Sequence, residues 1–123
     1  LAHAQVIDTA AELRVLVRRS VRLVGVSAGS TRMVRVGAPV KLTAAIDPVA
    51  AGVSVSFRLY RYDSVRRVYR YAGSWGRVTD PEGQASYAWQ PSSPGAFYWR
   101  VSVASTPELA NNVSPAFRWT VTR

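Results

Sequence analysis

Residues 53–62 read V-S-V-S-F-R-L-Y-R-Y, and they show most clearly the alternation that recurs along the chain. Its apolar side chains, Val53, Val55, Phe57 and Leu59, occupy every second position, and serine, arginine or tyrosine stands between them. Because successive side chains of a strand point to opposite faces of a sheet, this period of two predicts a strand with one buried face and one solvent-facing face. Such strands are typical of antiparallel sheets.

The same alternation recurs along the chain. It predicts strands near residues 38–46, 53–62, 67–72, 84–90, 96–104 and 115–122. Turn signals rich in proline, glycine and aspartate separate them, as in Asp80-Pro81-Glu82-Gly83 and in Pro91 to Gly95. Roughly seven to nine short strands with almost no helix predict an all-β, two-sheet sandwich.

The bulk composition limits the classes of function. At 123 residues the chain has the size of one domain, and it contains no cysteine, which excludes disulfides, thiol catalysis and thiolate metal sites. No apolar run approaches the roughly 18 residues of a membrane helix, so we expect no membrane span. The net charge of +9 favours anionic partners. Because the basic residues are spread along the chain without a block, we expect no specific nucleic-acid binding.

Short motifs follow one another in a fixed order between residues 36 and 121. They are V-G-x-x-V-x-L-T (36–43), V-x-V-x-F (53–57), T-D-x-x-G-x-A (79–85), the turn at 91–95 before Phe97-Tyr98, and A-N-N-x-S (110–114). In this order they resemble the immunoglobulin-like repeats of bacterial secreted and cell-surface proteins. The resemblance implies an immunoglobulin-like sandwich of about seven strands in an extracellular or cell-surface setting, and it implies no particular ligand.

The core of such a sandwich must form here without the disulfide that links the sheets of antibody domains. We therefore expect aromatic packing to connect the two sheets. The candidate core residues are Phe57, Trp89, Trp99 and Trp119. In the turn at residues 79–85, Asp80 is expected to accept hydrogen bonds from its own turn, and Gly83 to take the positive-φ position.

The two ends of the chain carry similar strand patterns, L-R-V-L-V-R-R at residues 13–19 and F-R-W-T-V-T-R at residues 117–123. We interpret residues 1–19 as a connector that ends a preceding repeat, and residues 20–123 as the immunoglobulin-like domain. The inter-module strand would consist of Leu13, Val15, Leu16 and Val17. Two alternatives stay open, a strand donated to another copy in a filament and an eighth strand on the same sheet.

The first strand of the domain would then come in two halves, Val21 to Val24 and Met33 to Val36. At the N-terminus, Ala2-His3-Ala4 fits the small-residue rule for signal-peptide cleavage.

No catalytic constellation is recognisable in the sequence. His3 is the only histidine, so a Ser/His/Asp triad has no base within the domain. Asp80 and Glu82, with Asp47 or Asp63, are too scattered to supply the roughly six to eight oxygen ligands that calcium takes. We therefore expect no enzyme, no cofactor and no metal site.

The most suggestive segment for binding is residues 58–75, R-L-Y-R-Y-D-S-V-R-R-V-Y-R-Y-A-G-S-W. A loop at residues 63–66 would pair Tyr62 with Arg67 and Tyr60 with Tyr69. The outer face would then carry Arg58, Tyr60, Tyr62, Arg67, Tyr69 and Tyr71. A flat tyrosine platform edged by guanidinium groups could bind a glycan or an anionic cell-wall polymer. The alternatives are an ordinary exposed sheet face, stabilised by cross-strand pairs, and a face that packs on a neighbouring module.

These observations predict a non-catalytic structural or adhesive module of an exported, cell-surface or extracellular bacterial protein. Its expected partner is a neighbouring immunoglobulin-like module or another copy of the chain. The alternatives are a subunit of an extracellular filament assembled by strand donation, and a module that binds carbohydrate or cell-wall polymer through the Tyr/Arg face.

Overall fold

The structure, a computed structural model, describes residues 20–103 and 112–123. Within these ranges the chain forms nine β-strands and no helix. The strands are β1 (Ser20–Leu23), β2 (Thr31–Arg35), β3 (Val40–Asp47), β4 (Ser54–Asp63), β5 (Val68–Val78), β6 (Gln84–Trp89), β7 (Gly95–Val103), β8 (Asn112–Val113) and β9 (Phe117–Thr122).

The strands form two sheets. One contains three strands in the order β1-β3-β6, and the other contains β2-β9-β7-β4-β5, with the short β8 paired to β7. The β2–β9 pair is parallel, and the other pairs are antiparallel. The apolar faces of the two sheets enclose one core. The prediction of an all-β, immunoglobulin-like sandwich is confirmed.

The first strand is divided between the two sheets. Its first half, β1, pairs with β3, and its second half, β2, pairs with β9 in the opposite sheet. These are the two halves expected from the sequence, close to the predicted positions. The strand predicted at residues 67–72 was too short, because the corresponding strand β5 continues beyond Ala72 to Val78. The connector at residues 1–19, with its inter-module strand, lies outside the described residues.

The core is built from aromatic side chains of both sheets. The four predicted core aromatics are buried, and Phe57 and Trp99 are completely inaccessible to solvent. The ring of Trp89 in the three-stranded sheet lies edge-on to Trp99 at 5.4 Å and to Trp119 at 6.0 Å, both in the five-stranded path. Burying one tryptophan removes roughly 200 Å² from water, worth on the order of 5 kcal/mol before the entropy loss is counted.

The first and last described residues lie at opposite ends of the sandwich. Ser20 lies opposite Asp47, the last residue of β3, and Gln84 at the start of β6 lies at this same end. Thr122, near the C-terminus, lies opposite Arg35, from which a short loop leads to the first residue of β3. We call the first end the entry end and the second the exit end.

The turn between β5 and β6 closes the entry end as the sequence predicted. One carboxylate oxygen of Asp80 accepts hydrogen bonds from the N–H groups of Glu82 at 2.9 Å and Gln84 at 3.0 Å. Gly83 has φ +75° and donates its own N–H to the Asp80 carbonyl. A Cβ on Gly83 would lie 3.2 Å from the backbone of Val49. Both the backbone conformation and the lack of space therefore require glycine at this position.

We expect Gly83→Ala to lower the free energy of unfolding by about 1–2 kcal/mol, because an L-residue is strained in the left-handed region. Gly29→Ala is the matched control, since Gly29 has no positive φ and a Cβ added there would meet no atom within 4 Å. Its stability should be unchanged or slightly higher. Chemical denaturation of both variants measures the difference, and equal effects at the two positions would contradict this account of the turn.

Candidate functional site

The outer surface of the five-stranded path carries a cluster of tyrosine and arginine side chains. On β4 the odd positions Phe57 and Leu59 are buried, so the even positions Arg58, Tyr60 and Tyr62 point outward. Neighbouring strands add to this surface. We call it the Tyr/Arg face, and its members are Arg58, Tyr60, Tyr62, Tyr69, Tyr71, Tyr98, Arg100 and Arg118.

The predicted pairing within the β4–β5 hairpin was wrong. Tyr62 pairs with Tyr69 and Tyr60 with Tyr71, instead of with Arg67 and Tyr69. The reason lies in the turn, where Asp63 still belongs to β4 and its carbonyl accepts the Arg67 N–H at 2.7 Å. Arg67 adopts φ +57° in the turn itself. It therefore lies at the hairpin tip and is not part of the Tyr/Arg face.

A bulge on β5 decides which of its side chains face outward. Leu59 pairs with Gly73 whereas Tyr60 pairs with Tyr71, so Ala72 has no partner on β4. One extra residue reverses the alternation of the strand. The odd-numbered tyrosines before the bulge therefore face solvent, and the odd-numbered Trp75 after it packs into the interior.

Trp75 is a half-buried residue that packs against the core and was not among the predicted core aromatics. Its ring stacks on Tyr87 at 4.9 Å and contacts Trp99 at 5.6 Å. A Cβ on Gly73 would lie 2.8 Å from the Trp75 ring, so the glycine leaves room for the indole. A glycine inside a strand is a signal for a bulge or a close approach, and Gly73 carried that signal in the sequence.

The tyrosine rings of the face pack on one another. Tyr60 and Tyr98 stack at 4.6 Å with nearly parallel rings, and Tyr71 lies edge-on to Tyr60. Tyr69 lies edge-on to both Tyr62 and Tyr98. Tyr98, on β7, was not among the predicted residues and occupies the centre of the cluster. Because Tyr60 and Tyr98 contact each other through their ring faces, the cluster differs from the flat platform that we predicted for stacking on sugars.

The charges on the Tyr/Arg face are all positive. Arg58 and Arg100 lie directly opposite each other on β4 and β7, and Arg118 lies beside Tyr98. The Arg100 guanidinium is 5.6 Å from the centre of the Tyr98 ring. Like charges placed opposite each other across two strands destabilise a sheet. An anionic group bound between Arg58 and Arg100 would relieve that repulsion, so the arrangement is suited to anions.

The tip of the β4–β5 hairpin is organised by Asp63. Its Oδ1 accepts hydrogen bonds from the N–H groups of Val65 at 3.0 Å and Arg66 at 3.1 Å, and its Oδ2 lies 3.5 Å from the Arg70 guanidinium. The Arg66 N–H is the largest cause that lowers the pKa of Asp63 below its ordinary value of 3.8, and the Val65 N–H and Arg70 act in the same direction. Desolvation opposes the lowering of this pKa without reversing it.

Other candidate sites offer less chemistry. Within residues 20–103 and 112–123, no three histidine, cysteine, aspartate or glutamate residues form a group that could hold a metal ion. The Asp80 carboxylate accepts hydrogen bonds within its own turn, and His3 lies outside the described residues. A crevice of about 410 Å³ between β1, β2 and β3 is floored by Leu42 and Trp119 and rimmed by Arg32 and Lys41. Arg32 already donates to the Gly25 carbonyl at 3.1 Å. In the part of the chain that the structure describes, no helix has the length and hydropathy needed to span a membrane.

Comparisons with known proteins support the fold. No protein-family model matches the chain, and no curated protein matches it. Among solved structures, an engineered protein superimposes with a TM-score of 0.61 at 9% identity over 86% of this chain. This chain spans only 20% of that protein's length.

Two further structures are similar. A variant of the superoxide reductase (neelaredoxin) from Ignicoccus hospitalis gives a TM-score of 0.50 at 12% identity, covering 93% of this chain and 86% of that one. A CARDB domain from Pyrococcus furiosus, solved in complex with di-metal ions, gives a TM-score of 0.48 at 16% identity, covering 85% of this chain and 88% of that one. At these identities the likeness concerns the fold alone. The strand order of the two sheets defines the protein as an all-β domain of the immunoglobulin-like sandwich class.

We expect the contribution of Asp63 to stability to depend on pH. Because its folded pKa is depressed, this contribution is fully present above the ordinary value of 3.8 and is lost as pH falls through the folded pKa. Asp63→Asn should therefore have a lower melting temperature than the parent chain at pH 7, and the gap should narrow as the pH falls below 3.8 and through the folded pKa of Asp63.

Glu82→Gln is the control for this titration, because the Glu82 side chain makes no hydrogen bond or ion pair with the other described residues. The melting temperatures of the two variants and the parent chain are compared across the acid range. A gap for Asp63→Asn that stays constant with pH would show that its carboxylate does not stabilise the tip through its charge.

Proposed function

We propose that this chain is a non-catalytic structural or adhesive module of an exported, cell-surface or extracellular bacterial protein, joined end to end to neighbouring modules. The observation that carries the proposal is the path of the chain, which enters the sandwich at Ser20 and reaches Arg123 at the opposite end. A domain with its termini at opposite ends extends a tandem array in one direction without a return linker. The extracellular setting rests on the resemblance of its motifs to bacterial surface repeats.

The sandwich is closed by its own strands, which favours the connector interpretation of residues 1–19. β9 fills the position between β2 and β7 with continuous pairing on both sides. A donated strand completes a sandwich that lacks a strand. Residues 20–123 supply β9 and both of its neighbours themselves. This supports the interpretation of residues 11–19 as the last strand of a preceding repeat.

Strand donation in a filament remains the alternative for residues 11–19. β6 pairs with β3 on one side, and within the described residues no strand pairs with its other side. Unpaired edges recruit strands from other chains. This edge, Gln84–Trp89, is the site at which a donated strand could add to the three-stranded sheet.

The non-catalytic role is supported by the chemistry of the surface. The Tyr/Arg face offers phenol and guanidinium groups. The Asp63 carboxylate is held in its turn, and Asp80 is held in another. The carboxylates with defined partners therefore stabilise turns.

The module proposal is tested with two versions of the chain, residues 1–123 and residues 20–123. If residues 11–19 form a connector, the shorter version should unfold at nearly the same denaturant concentration as the longer one and remain a compact monomer in solution scattering. The longer version should self-associate, because its surplus strand lacks the module it belongs to. A large loss of stability in the shorter version would instead place the strand in its own sandwich.

A second function, binding of an anionic cell-wall polymer by the Tyr/Arg face, is favoured by the opposed Arg58 and Arg100. No carboxylate of the described residues projects from the same strand positions, so an anion meets a uniformly positive surface. Tyrosine hydroxyls beside the guanidinium groups would add hydrogen bonds to a sugar or phosphate. This function is compatible with an adhesive module and depends on a different surface from the module ends.

We expect retention on immobilised teichoic acid to fall in Arg100→Gln and to weaken steeply with salt, because binding releases counterions. Arg22→Gln is the matched control, since it removes the same charge from an exposed strand position in the three-stranded sheet. The slope of log affinity against log salt is negative, and it should become shallower by roughly one in Arg100→Gln and stay unchanged in Arg22→Gln. Equal effects of the two substitutions would indicate attraction by net charge without a site.

The same assay distinguishes anion binding from sugar stacking. Tyr60→Ala and Tyr69→Ala should reduce retention on teichoic acid, because they remove rings that support Tyr98 and its arginine neighbour. A neutral insoluble glycan should retain neither the parent chain nor the variants if the arginines dominate. Retention on the neutral glycan that both tyrosine variants lose would favour carbohydrate binding.

A further inference from the structure

The two ends of the sandwich carry opposite charge. At the entry end, Asp47, Asp80 and Glu82 are exposed. The three residues are close together, because the Ile46 N–H donates to the Gly83 carbonyl and joins the β5–β6 turn to the end of β3. Arg77, at the same end of β5, directs its guanidinium away from them, to the Tyr87 ring and the Gly76 carbonyl.

The exit end is basic. Arg66 and Arg67 are exposed at the tip of the β4–β5 hairpin, Arg35 ends β2, and Arg123 follows β9. The acid at this end, Asp63, is engaged by the Arg66 N–H and the Arg70 guanidinium. Its charge is therefore already opposed within the hairpin, and the remaining arginines determine the potential of this end.

Neither set of charges is neutralised within the described part of the chain. The ion pair between Arg70 and Asp63 is the only one found among residues 20–103 and 112–123. Arg22, two positions from Ser20 on β1, and Arg77 are the basic residues of the entry end, and among the described residues neither forms an ion pair with its three acids. The three acids outnumber them, so the entry end is complementary in charge to the basic exit end.

We propose that the acidic entry end of one copy of this domain docks on the basic exit end of another copy, in a head-to-tail arrangement. Complementary patches of this kind fix orientation and select the partner more than they add affinity. Contact between two different surfaces of the same molecule is heterologous and extends into a row of domains instead of closing as a symmetric dimer. The partner is thus a second copy of this chain, or a repeat with the same polarity.

The overall charge of +9 opposes association of separate copies, but screening limits that opposition. At physiological ionic strength the screening length is about 8 Å, so charges across the contact act more strongly than charges on the distant faces. In a tandem protein the linker adds a roughly millimolar effective concentration and makes a weak contact sufficient. The inference goes beyond the proposed function, since a module can be joined end to end without any contact between domains.

Cysteine cross-linking tests the orientation directly, because the chain has no cysteine of its own. Ser64→Cys places a thiol at the hairpin tip of the exit end, and Ala51→Cys places one in the exposed loop of the entry end. We expect a short bismaleimide to join the two variants to each other, with a mixed product at least roughly fivefold above either homodimer, since like ends repel. Homodimers in equal or greater yield, or no product above that of a Ser86→Cys control, would overturn the proposal.

A charge swap separates end-to-end attraction from loss of fold. Arg66→Glu with Arg67→Asp in the Ser64→Cys chain should reduce the mixed product severalfold, and so should Asp47→Lys with Glu82→Lys in the Ala51→Cys chain. Combining the two altered chains should restore the product, because the charges are then exchanged and still opposite. Ser86→Glu, which adds a negative charge in the middle of the three-stranded sheet, should leave the yield unchanged.

The outcomes also separate this inference from the other proposals. The mixed cross-linked product is also compared with and without residues 1–19. If it forms with either charge-reversed chain but disappears when residues 1–19 are removed, self-association belongs to the N-terminal strand and the head-to-tail contact is overturned. The stability of residues 20–123, which tests the module proposal, does not depend on that result. If the charge swap does not restore the product although thermal unfolding shows that both chains are folded, the contact is likewise overturned.

Discussion

Trp99 is the side chain through which the two sheets are held together. It is fully inaccessible to solvent on β7, and its ring contacts Trp89 and Tyr87 from the opposite sheet and Trp75 from β5. Each aromatic pair adds about 0.5–1.5 kcal/mol beyond the area it buries. In a chain without cysteine, this cluster connects the two sheets, as an inter-sheet disulfide does in antibody domains.

The surface chemistry depends on that same core through one bulge. Trp75 can reach Trp99 because Ala72 is an extra residue on β5 and Gly73 leaves space beneath the indole. If β5 were regular, its odd positions would all share one face, and either Trp75 would be exposed or Tyr69 and Tyr71 would be buried. The outer tyrosine cluster is therefore a consequence of packing a tryptophan inside.

Turns at the two ends combine structural and electrostatic roles. Asp80 closes the entry-end turn through backbone hydrogen bonds, and Asp63 does the same for the exit-end hairpin. The charge of Asp63 is opposed by Arg70, whereas Asp80 forms no such ion pair with the described residues. The ion pair between Arg70 and Asp63 removes the acid of the exit end from the charge balance, whereas Asp80 adds to the negative charge of the entry end. The charge difference runs along the direction in which the chain passes through the domain, and this supports a role in which domains follow one another.

The sequence by itself determined the features that depend on near neighbours. The period of two at Phe57 defined a strand and its buried face, and the spacing from Asp80 to Gly83 defined a turn, because both follow from local backbone geometry. Only the tertiary structure decided the hairpin register, the bulge at Ala72 and the arrival of Tyr98 among the tyrosines of the hairpin. Gly73 signalled a bulge or a close approach in the sequence, but the space around the Trp75 ring decided which residue became the extra one. The register and the position of Tyr98 depend on which residue closes a turn and on pairing between strands far apart in the chain, and no local pattern encodes those contacts.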